Sequence, residues 1–200
     1  MALWIQPRSG PARKLDLGDV DAAWSFWADI SLGRDGALAV AGSTPAHPNE
    51  IYYAAPGGGT PRRLTDFNQE IASRDLGRVE EFRWKGPNGF AEDGVVVYPP
   101  DFKPERKFPL VLLIHGGPQA ASTLSFSPAA QLLAAHGYIV FSPNYRGSDN
   151  SGSGSGANRR IRLVLRRLHD IVADRALSHL ESRRGGRGRQ RFRARVRALR

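Results

Sequence analysis

The residues best placed to do chemistry in this sequence are a histidine and two glycines that follow a continuous apolar run. The run covers 110–114, and its length and β-branched content predict a strand buried on both faces of a parallel sheet. The segment His115-Gly116-Gly117-Pro118, the glycine loop, comes directly after it. Glycines at the carboxyl end of a buried strand let the backbone turn sharply and present its N–H groups above the sheet. We therefore predict that Gly116 and Gly117 form an oxyanion hole.

The elements that must hold this loop follow directly along the chain. Residues 128–136 predict a helix with a packed face of leucine and alanine, and Gly137 is its expected C-terminal cap. A second buried strand is predicted at 138–142, and it ends in the segment 143–148. Strand, loop, helix and strand in this order form a right-handed βαβ unit, whose functional loops lie at one edge.

This ordered set of motifs resembles the start of the catalytic domain of the prolyl oligopeptidase family, and within it the branch of acylaminoacyl peptidases and dipeptidyl aminopeptidases. The residues that carry the resemblance are Phe108-Pro109-Leu110-Val111, His115-Gly116-Gly117-Pro118, Gly137-Tyr138 and Asn144-Tyr145-Arg146-Gly147-Ser148. A short His-Gly-Gly-Pro can occur by chance, whereas the whole set in this order rarely does.

The resemblance implies a serine peptidase that hydrolyses short peptides or acyl-peptides through an acyl-enzyme, without a metal or another cofactor. It also implies an α/β-hydrolase domain behind a β-propeller, in which the His-Gly-Gly loop helps to hold the oxyanion. Peptide substrates are the expected partners of the intact family member. The residues expected to support the loop or to line the rim of the site are His115, Pro118, Asn144, Tyr145 and Arg146.

Short predicted strands separated by turns precede the glycine loop. Residues 37–41 and 51–54 predict two strands, and 43–49 predicts a polar loop that contains two prolines. This stretch resembles the last propeller blade that precedes the catalytic domain in the same family. Further on, 80–85 and 94–98 predict a hairpin that leads into the buried strand.

The predicted fold class is α/β, with the N-terminal part of an α/β-hydrolase domain preceded by a β-propeller remnant and followed by an arginine-rich tail that is helical or disordered. The expected domains are the last blade at 1–65, a linker at 66–78, the hydrolase part at 79–153 and the tail at 154–200. A sheet truncated after its early strands would expose an apolar edge at 110–114 or at 138–141. Such an edge predicts aggregation unless a partner covers it.

The chain shows no nucleophile for peptidase chemistry. A serine hydrolase raises its nucleophile on a tight turn of pattern Gly-x-Ser-x-Gly, and no serine in the sequence fits this pattern. The repeat 152–156 comes near, but its central residue is Gly154. In the family the catalytic serine, aspartate and histidine lie downstream of residue 148, so the resemblance implies that the triad is absent and that this chain alone is inactive. His115 is expected to orient the loop, and Ser148 is interpreted as a loop residue.

Other kinds of site find little support. Zero cysteines and five dispersed histidines, with no pair at i, i+4, predict no metal site. No stretch approaches the ~20 apolar residues that a membrane helix needs. Residues 1–14 contain no long apolar region of the kind found in a secretory signal. We therefore expect no membrane span and a cytoplasmic location.

The net positive charge belongs to the tail. Residues 1–153 contain 14 basic and 16 acidic side chains, whereas 154–200 contain 15 arginines, no lysine and 3 acidic side chains. The resemblance ends near Asn150, and such an abrupt lysine-free composition is typical of a shifted reading frame in a GC-rich gene, which is the interpretation we favour. The alternative is a non-catalytic basic protein whose tail, with an amphipathic helix at 159–180, binds nucleic acid or another polyanion.

Overall fold

A computed structural model describes residues 3–7, 9–22, 29–86, 89–116, 120–145 and 148. The strands are β1 (Trp4–Ile5), β2 (Arg13–Lys14), β3 (Ile30–Leu32), β4 (Leu38–Thr44), β5 (His47–Ala54), β6 (Arg62–Arg63), β7 (Val79–Lys85), β8 (Ala91–Val97), β9 (Leu110–Leu112) and β10 (Ile139–Asn144). The helices are α1 (Gln69–Ala72) and α2 (Pro128–Ala135). These elements belong to one compact unit, which does not include the turn at 103–107. In the described ranges, no helix is both long enough and apolar enough to cross a bilayer.

The first four-stranded sheet is antiparallel, in the order β3-β4-β5-β6. Along β4 and β5 buried residues alternate with more exposed ones, because successive side chains of a strand point to opposite faces. The strands predicted at 37–41 and 51–54 are confirmed, and both are longer than expected. The buried residues that form the core of this sheet are Leu15, Leu17, Ala22, Leu38, Val40, Tyr52 and Ala54.

The prediction of a polar loop at 43–49 is wrong. β4 and β5 form one hairpin, in which Thr44 pairs with His47 across a tight turn. The register shifts just before Thr44, and Pro48 lies opposite this irregularity. A proline is tolerated at a bulge because the ladder needs no N–H there. The composition of the segment therefore indicated a loop where the chain forms the end of two paired strands.

A buried carboxylate ties this sheet to the segment that leaves it. Glu50 on β5 is 3% exposed. It accepts hydrogen bonds from the Thr65 hydroxyl at 2.5 Å and from the backbone N–H groups of Phe67 at 3.0 Å and Asn68 at 2.7 Å. Burial raises the pKa of Glu50, but these hydrogen bonds outweigh it and hold the pKa below its ordinary value of 4.5. The carboxylate thereby fixes the chain just before α1.

The second four-stranded sheet has the order β7-β8-β10-β9. β8 is antiparallel to both β7 and β10, whereas β10 and β9 are parallel. The hairpin predicted at 80–85 and 94–98 is confirmed as β7 and β8. α2 connects the two parallel strands, so the predicted βαβ order is confirmed as well.

α2 begins where the sequence predicts and ends one residue earlier, at Ala135. The Ser127 side chain caps its first turn by accepting a hydrogen bond from the N–H of Ala130 at 3.3 Å. Gly137 adopts a φ of +84°, the left-handed conformation that commonly ends a helix. The buried residues where α2 packs on the sheet are Val97, Ala130, Ala134 and Val140.

β9 is not buried on both faces, which corrects the prediction for 110–114. The strand covers only Leu110–Leu112, at the edge of the sheet, and its residues are half-buried. Ile114 lies beyond its end and is 44% exposed. Within the described part of the chain β9 pairs with β10 alone, so its other edge has no neighbouring strand.

Candidate functional site

The candidate site lies where β9 and β10 end. Because these two strands are parallel, the residues that follow them leave the same edge of the sheet. The N–H of Leu113 still donates to the carbonyl of Phe141 at 2.9 Å, and His115 continues beyond the sheet. On the neighbouring strand Asn144 is the last residue and Tyr145 follows it. The fold thus brings the two predicted motifs together.

The His115 ring contacts residues from both segments. It is stacked on the Tyr145 ring, with centroids 4.6 Å apart and an interplanar angle of 16°. Its Nδ1 lies 2.6 Å from the carbonyl oxygen of Gly116, and its Nε2 lies 3.0 Å from Oγ of Ser148. Ser148 is 2% exposed, and its N–H donates to the carbonyl of Tyr145 at 2.9 Å. The histidine therefore connects the two segments.

The Tyr145 hydroxyl fixes the backbone of the glycine loop. It donates to the carbonyl of His115 at 3.0 Å and lies 3.4 Å from the carbonyl of Gly116. In a planar trans peptide unit the C=O and the N–H point in opposite directions. Because the carbonyl of His115 is held towards Tyr145, the N–H of Gly116 points away from the tyrosine. Gly116 is exposed, and no described atom lies within 4 Å of the position a Cβ would occupy there.

Asn144 supports the chain between the glycine loop and α2. Its Nδ2 donates to a carboxylate oxygen of Asp93 at 2.6 Å and to the carbonyl of Ser122 at 2.9 Å. Its Oδ1 accepts a hydrogen bond from the N–H of Ser122 at 2.7 Å. The side chain is buried, and its amide is engaged on both sides. Asn144 is thus placed to hold a loop.

The structure brings together His115, Gly116 and Tyr145 from the predicted set. Gly117, Pro118 and Arg146 lie outside the described residues. Reasoning from sequence missed the contact that Ser148 makes with His115. The only signal for it is position, since Ser148 follows β10 as His115 follows β9. In the described ranges no three His, Asp or Glu side chains lie close enough to hold a metal ion.

Sequence comparison relates the chain to peptidases. No protein-family model matches it. The dipeptidyl-peptidase 5 of Porphyromonas gingivalis is 34% identical over 154 residues, which are 75% of this chain and 22% of that protein. The uncharacterised peptidase YuxL of Bacillus subtilis is 32% identical over 125 residues, which are 62% of this chain and 19% of that protein.

Solved structures agree with the sequence matches. An acylaminoacyl peptidase in complex with Z-Gly-Gly-Phe-chloromethyl ketone has a TM-score of 0.61 and 26% identity, over 76% of this chain and 23% of that one. The acylaminoacyl peptidase of Pyrococcus horikoshii has a TM-score of 0.57 and 27% identity, over 72% of this chain and 22% of that one. The chain belongs to the prolyl oligopeptidase family of peptidases.

This prolyl oligopeptidase-family chain spans about a fifth of the length of the curated relatives named above. The matches to these peptidases confirm the resemblance that the motifs carry. The strands and helices of the structure confirm the α/β class of the fold. An exposed backbone N–H at the end of a strand can bind negative charge that develops on a carbonyl oxygen.

Proposed function

We propose that this chain carries the oxyanion-binding loop of a serine peptidase that hydrolyses short peptides or acyl-peptides through an acyl-enzyme. The observation that supports the proposal is the fixed peptide unit between His115 and Gly116. The N–H of Gly116 would donate to the oxyanion of the tetrahedral intermediate, and Gly117 is the second proposed donor. Each donor of this kind typically contributes about 3 kcal/mol of transition-state stabilisation. A donor fixed before the reaction needs no reorganisation.

The chain by itself is incomplete as a catalyst in this proposal. No serine in its sequence has the Gly-x-Ser-x-Gly pattern. The hydroxyl of Ser148 lies 3.0 Å from Nε2 of His115, but the serine is buried, so it is not presented to a substrate. Because the nucleophile, the acid and the base are all lacking, no peptide turnover is expected from this chain.

The proposed domains follow the two sheets. The first sheet would be the last blade of a propeller within 1–65, and the second would begin the hydrolase domain within 79–153. Residues 66–78 would form the linker and 154–200 the tail. This division is supported by two separate four-stranded sheets, with α1 and the segment bound by Glu50 between them.

The lack of activity can be tested with a fluorophosphonate probe and with chromogenic dipeptidyl and acyl-aminoacyl substrates. We expect neither covalent labelling nor turnover from the full chain. Labelling that disappears in Ser148→Ala would show that this serine is a nucleophile. That result would overturn the proposal that the chain is inactive by itself.

The oxyanion role can be tested on the gene. We expect another reading frame, beyond the codons for 150–156, to encode a Gly-x-Ser-x-Gly turn followed by aspartate and histidine. Protein translated in that frame should hydrolyse these substrates. Gly116→Pro, which removes the N–H, should then lower kcat by about 10²–10³-fold, whereas the matched variant Gly116→Ala keeps the N–H. Equal activity of the two variants would contradict the oxyanion role.

A second candidate function rests on the charge of residues 154–200, which contain 15 arginines. Such a tail would bind polyanions through phosphate contacts and counterion release. A preference for one nucleic-acid sequence that persists at high salt would favour this function. A steep loss of binding with salt would indicate non-specific attraction, and it would leave the peptidase assignment as the better explanation of the chain.

A further inference from the structure

Ser148 is a buried hydroxyl whose contact the oxyanion proposal does not use. Its Oγ lies 3.0 Å from Nε2 of His115, a residue 33 positions earlier in the chain. The register of the parallel strands brings the two residues together, and the N–H of Ser148 donates to the carbonyl of Tyr145. A buried hydroxyl within hydrogen-bond distance of a histidine ring nitrogen can determine which ring nitrogen carries the proton.

The partners of His115 assign the proton positions. The carbonyl oxygen of Gly116 can only accept, so Nδ1, at 2.6 Å from it, must carry the hydrogen. In a neutral ring Nε2 is then an acceptor, and the hydroxyl of Ser148 donates to it. The Tyr145 hydroxyl donates to the carbonyl of His115. The carbonyl of His115 is thus held by Tyr145, whereas the carbonyl of Gly116 is held mainly by His115, with the Tyr145 hydroxyl 3.4 Å away.

We infer that Ser148 is a positioning residue for the glycine loop. Its hydroxyl keeps the proton of His115 on Nδ1, and the ring in turn holds the carbonyl of Gly116. In the other tautomer the Nδ1 lone pair would face that carbonyl at the same short distance, and their repulsion would rotate the peptide. The catalytic meaning of this arrangement rests on the proposed oxyanion role of Gly116, but the arrangement itself does not.

The inference can be tested by NMR on the full chain labelled with ¹⁵N. In the wild type, the ring ¹⁵N shifts of His115 should show a protonated Nδ1 and an unprotonated Nε2. The order parameter of the Gly116 amide should be about 0.85, the value of rigid backbone. In Ser148→Ala we expect a mixture of tautomers and an order parameter below about 0.6 at Gly116. The matched control, Ser142→Ala on β10, should change neither signal.

A second variant separates the two donors. The Tyr145 hydroxyl also lies 3.4 Å from Nδ1 of His115, but the shorter contacts of the ring with Gly116 and Ser148 remain when it is removed. Tyr145→Phe keeps the ring stack, so it should loosen the Gly116 amide while the His115 tautomer stays as in the wild type. Its result remains informative if Ser148→Ala does not fold.

Three results would overturn the inference: a wild-type ring protonated at Nε2, an unchanged tautomer in a folded Ser148→Ala, or a tautomer that changes in Tyr145→Phe. None of these measurements needs peptidase activity, so their failure is distinguishable from failure of the proposed function.

Discussion

Glu50, Gln131 and Asn144 are buried polar side chains whose partners include backbone groups well separated from them in sequence. Among the described residues, no buried side-chain nitrogen or oxygen lacks a hydrogen-bond partner. Burying such groups is unfavourable unless they are satisfied, so each one strongly favours a single arrangement of the loop that it holds. His115 at the candidate site is only half-buried, but both of its ring nitrogens also have partners, and these lie in different segments.

Glu50 makes the free energy of unfolding depend on pH. Its pKa is lower in the folded state, so its contribution is fully present above the ordinary value of 4.5 and is lost as the pH falls through the folded pKa. Glu50→Gln should lower the free energy of unfolding at neutral pH by about 1–3 kcal/mol. It should also flatten the loss of stability between neutral pH and about pH 3.

Urea unfolding across this pH range measures both effects. The matched control is Glu70→Gln, because the Glu70 carboxylate is exposed on α1 and pairs only at the surface with Arg74. If wild type and Glu50→Gln lose stability in parallel as the pH falls, the buried carboxylate is not the acid-sensitive group.

At the scale of elements, α2 holds the segment before β7 as well as the sheet. Its Gln131 accepts a hydrogen bond from the N–H of Gly77 at 2.7 Å and donates to the carbonyl of the same residue at 3.0 Å. The side-chain amide thus pairs with Gly77 as a neighbouring strand would. The close packing there leaves no room for a side chain, since a Cβ on Gly77 would overlap the carbonyl of Tyr98.

Gln131→Leu keeps the size of the side chain and removes both hydrogen bonds. Because Gly77 is buried, its N–H and C=O would be left without these partners, and we expect a loss of about 1–3 kcal/mol in the free energy of unfolding. Leu132→Ala is the control on the same helix, since Leu132 is 63% exposed and should change stability by less than about 0.5 kcal/mol. Equal stability of the two variants in urea would show that the pairing at Gly77 contributes little.

The sequence predicts which strands and helices form better than it predicts which of them lie side by side. The apolar runs, Ser127 before the helix and Gly137 after it are local signals, and they predict the strand–helix–strand order that the structure has. The apolar run at 110–114 carries no information on which strands lie beside it, so its edge position could not be read. The contact between His115 and Ser148 depends on the register of β9 against β10, and no local pattern encodes that register.

At the scale of the whole molecule, the second sheet has two outer strands, β7 and β9, each with one edge that no described strand covers. β10 lies between β8 and β9, so the alternative that placed the exposed apolar edge at 138–141 is wrong, and of the two predicted positions the edge lies at β9. Ile114 extends this edge with an exposed apolar side chain. Unpaired backbone groups beside apolar side chains favour pairing with another chain.

We expect the chain to self-associate through β9 and Ile114→Lys to weaken that association, because a charged side chain at a strand edge disfavours pairing. Sedimentation velocity over a range of concentrations measures the effect. Leu124→Lys places the same charge at another exposed leucine and serves as the control. A monomeric wild type, or an equal effect of the two lysines, would contradict association through this edge.

The pairing of Gln131 with Gly77 also bears on the order of events in folding, because it joins positions 54 residues apart. Closing so long a loop costs conformational entropy that must be recovered by contacts made afterwards. Gln131 is held in place only when α2 has formed and has packed on β8 and β10. We therefore expect the segment around Gly77 to dock only after α2 has packed on the second sheet.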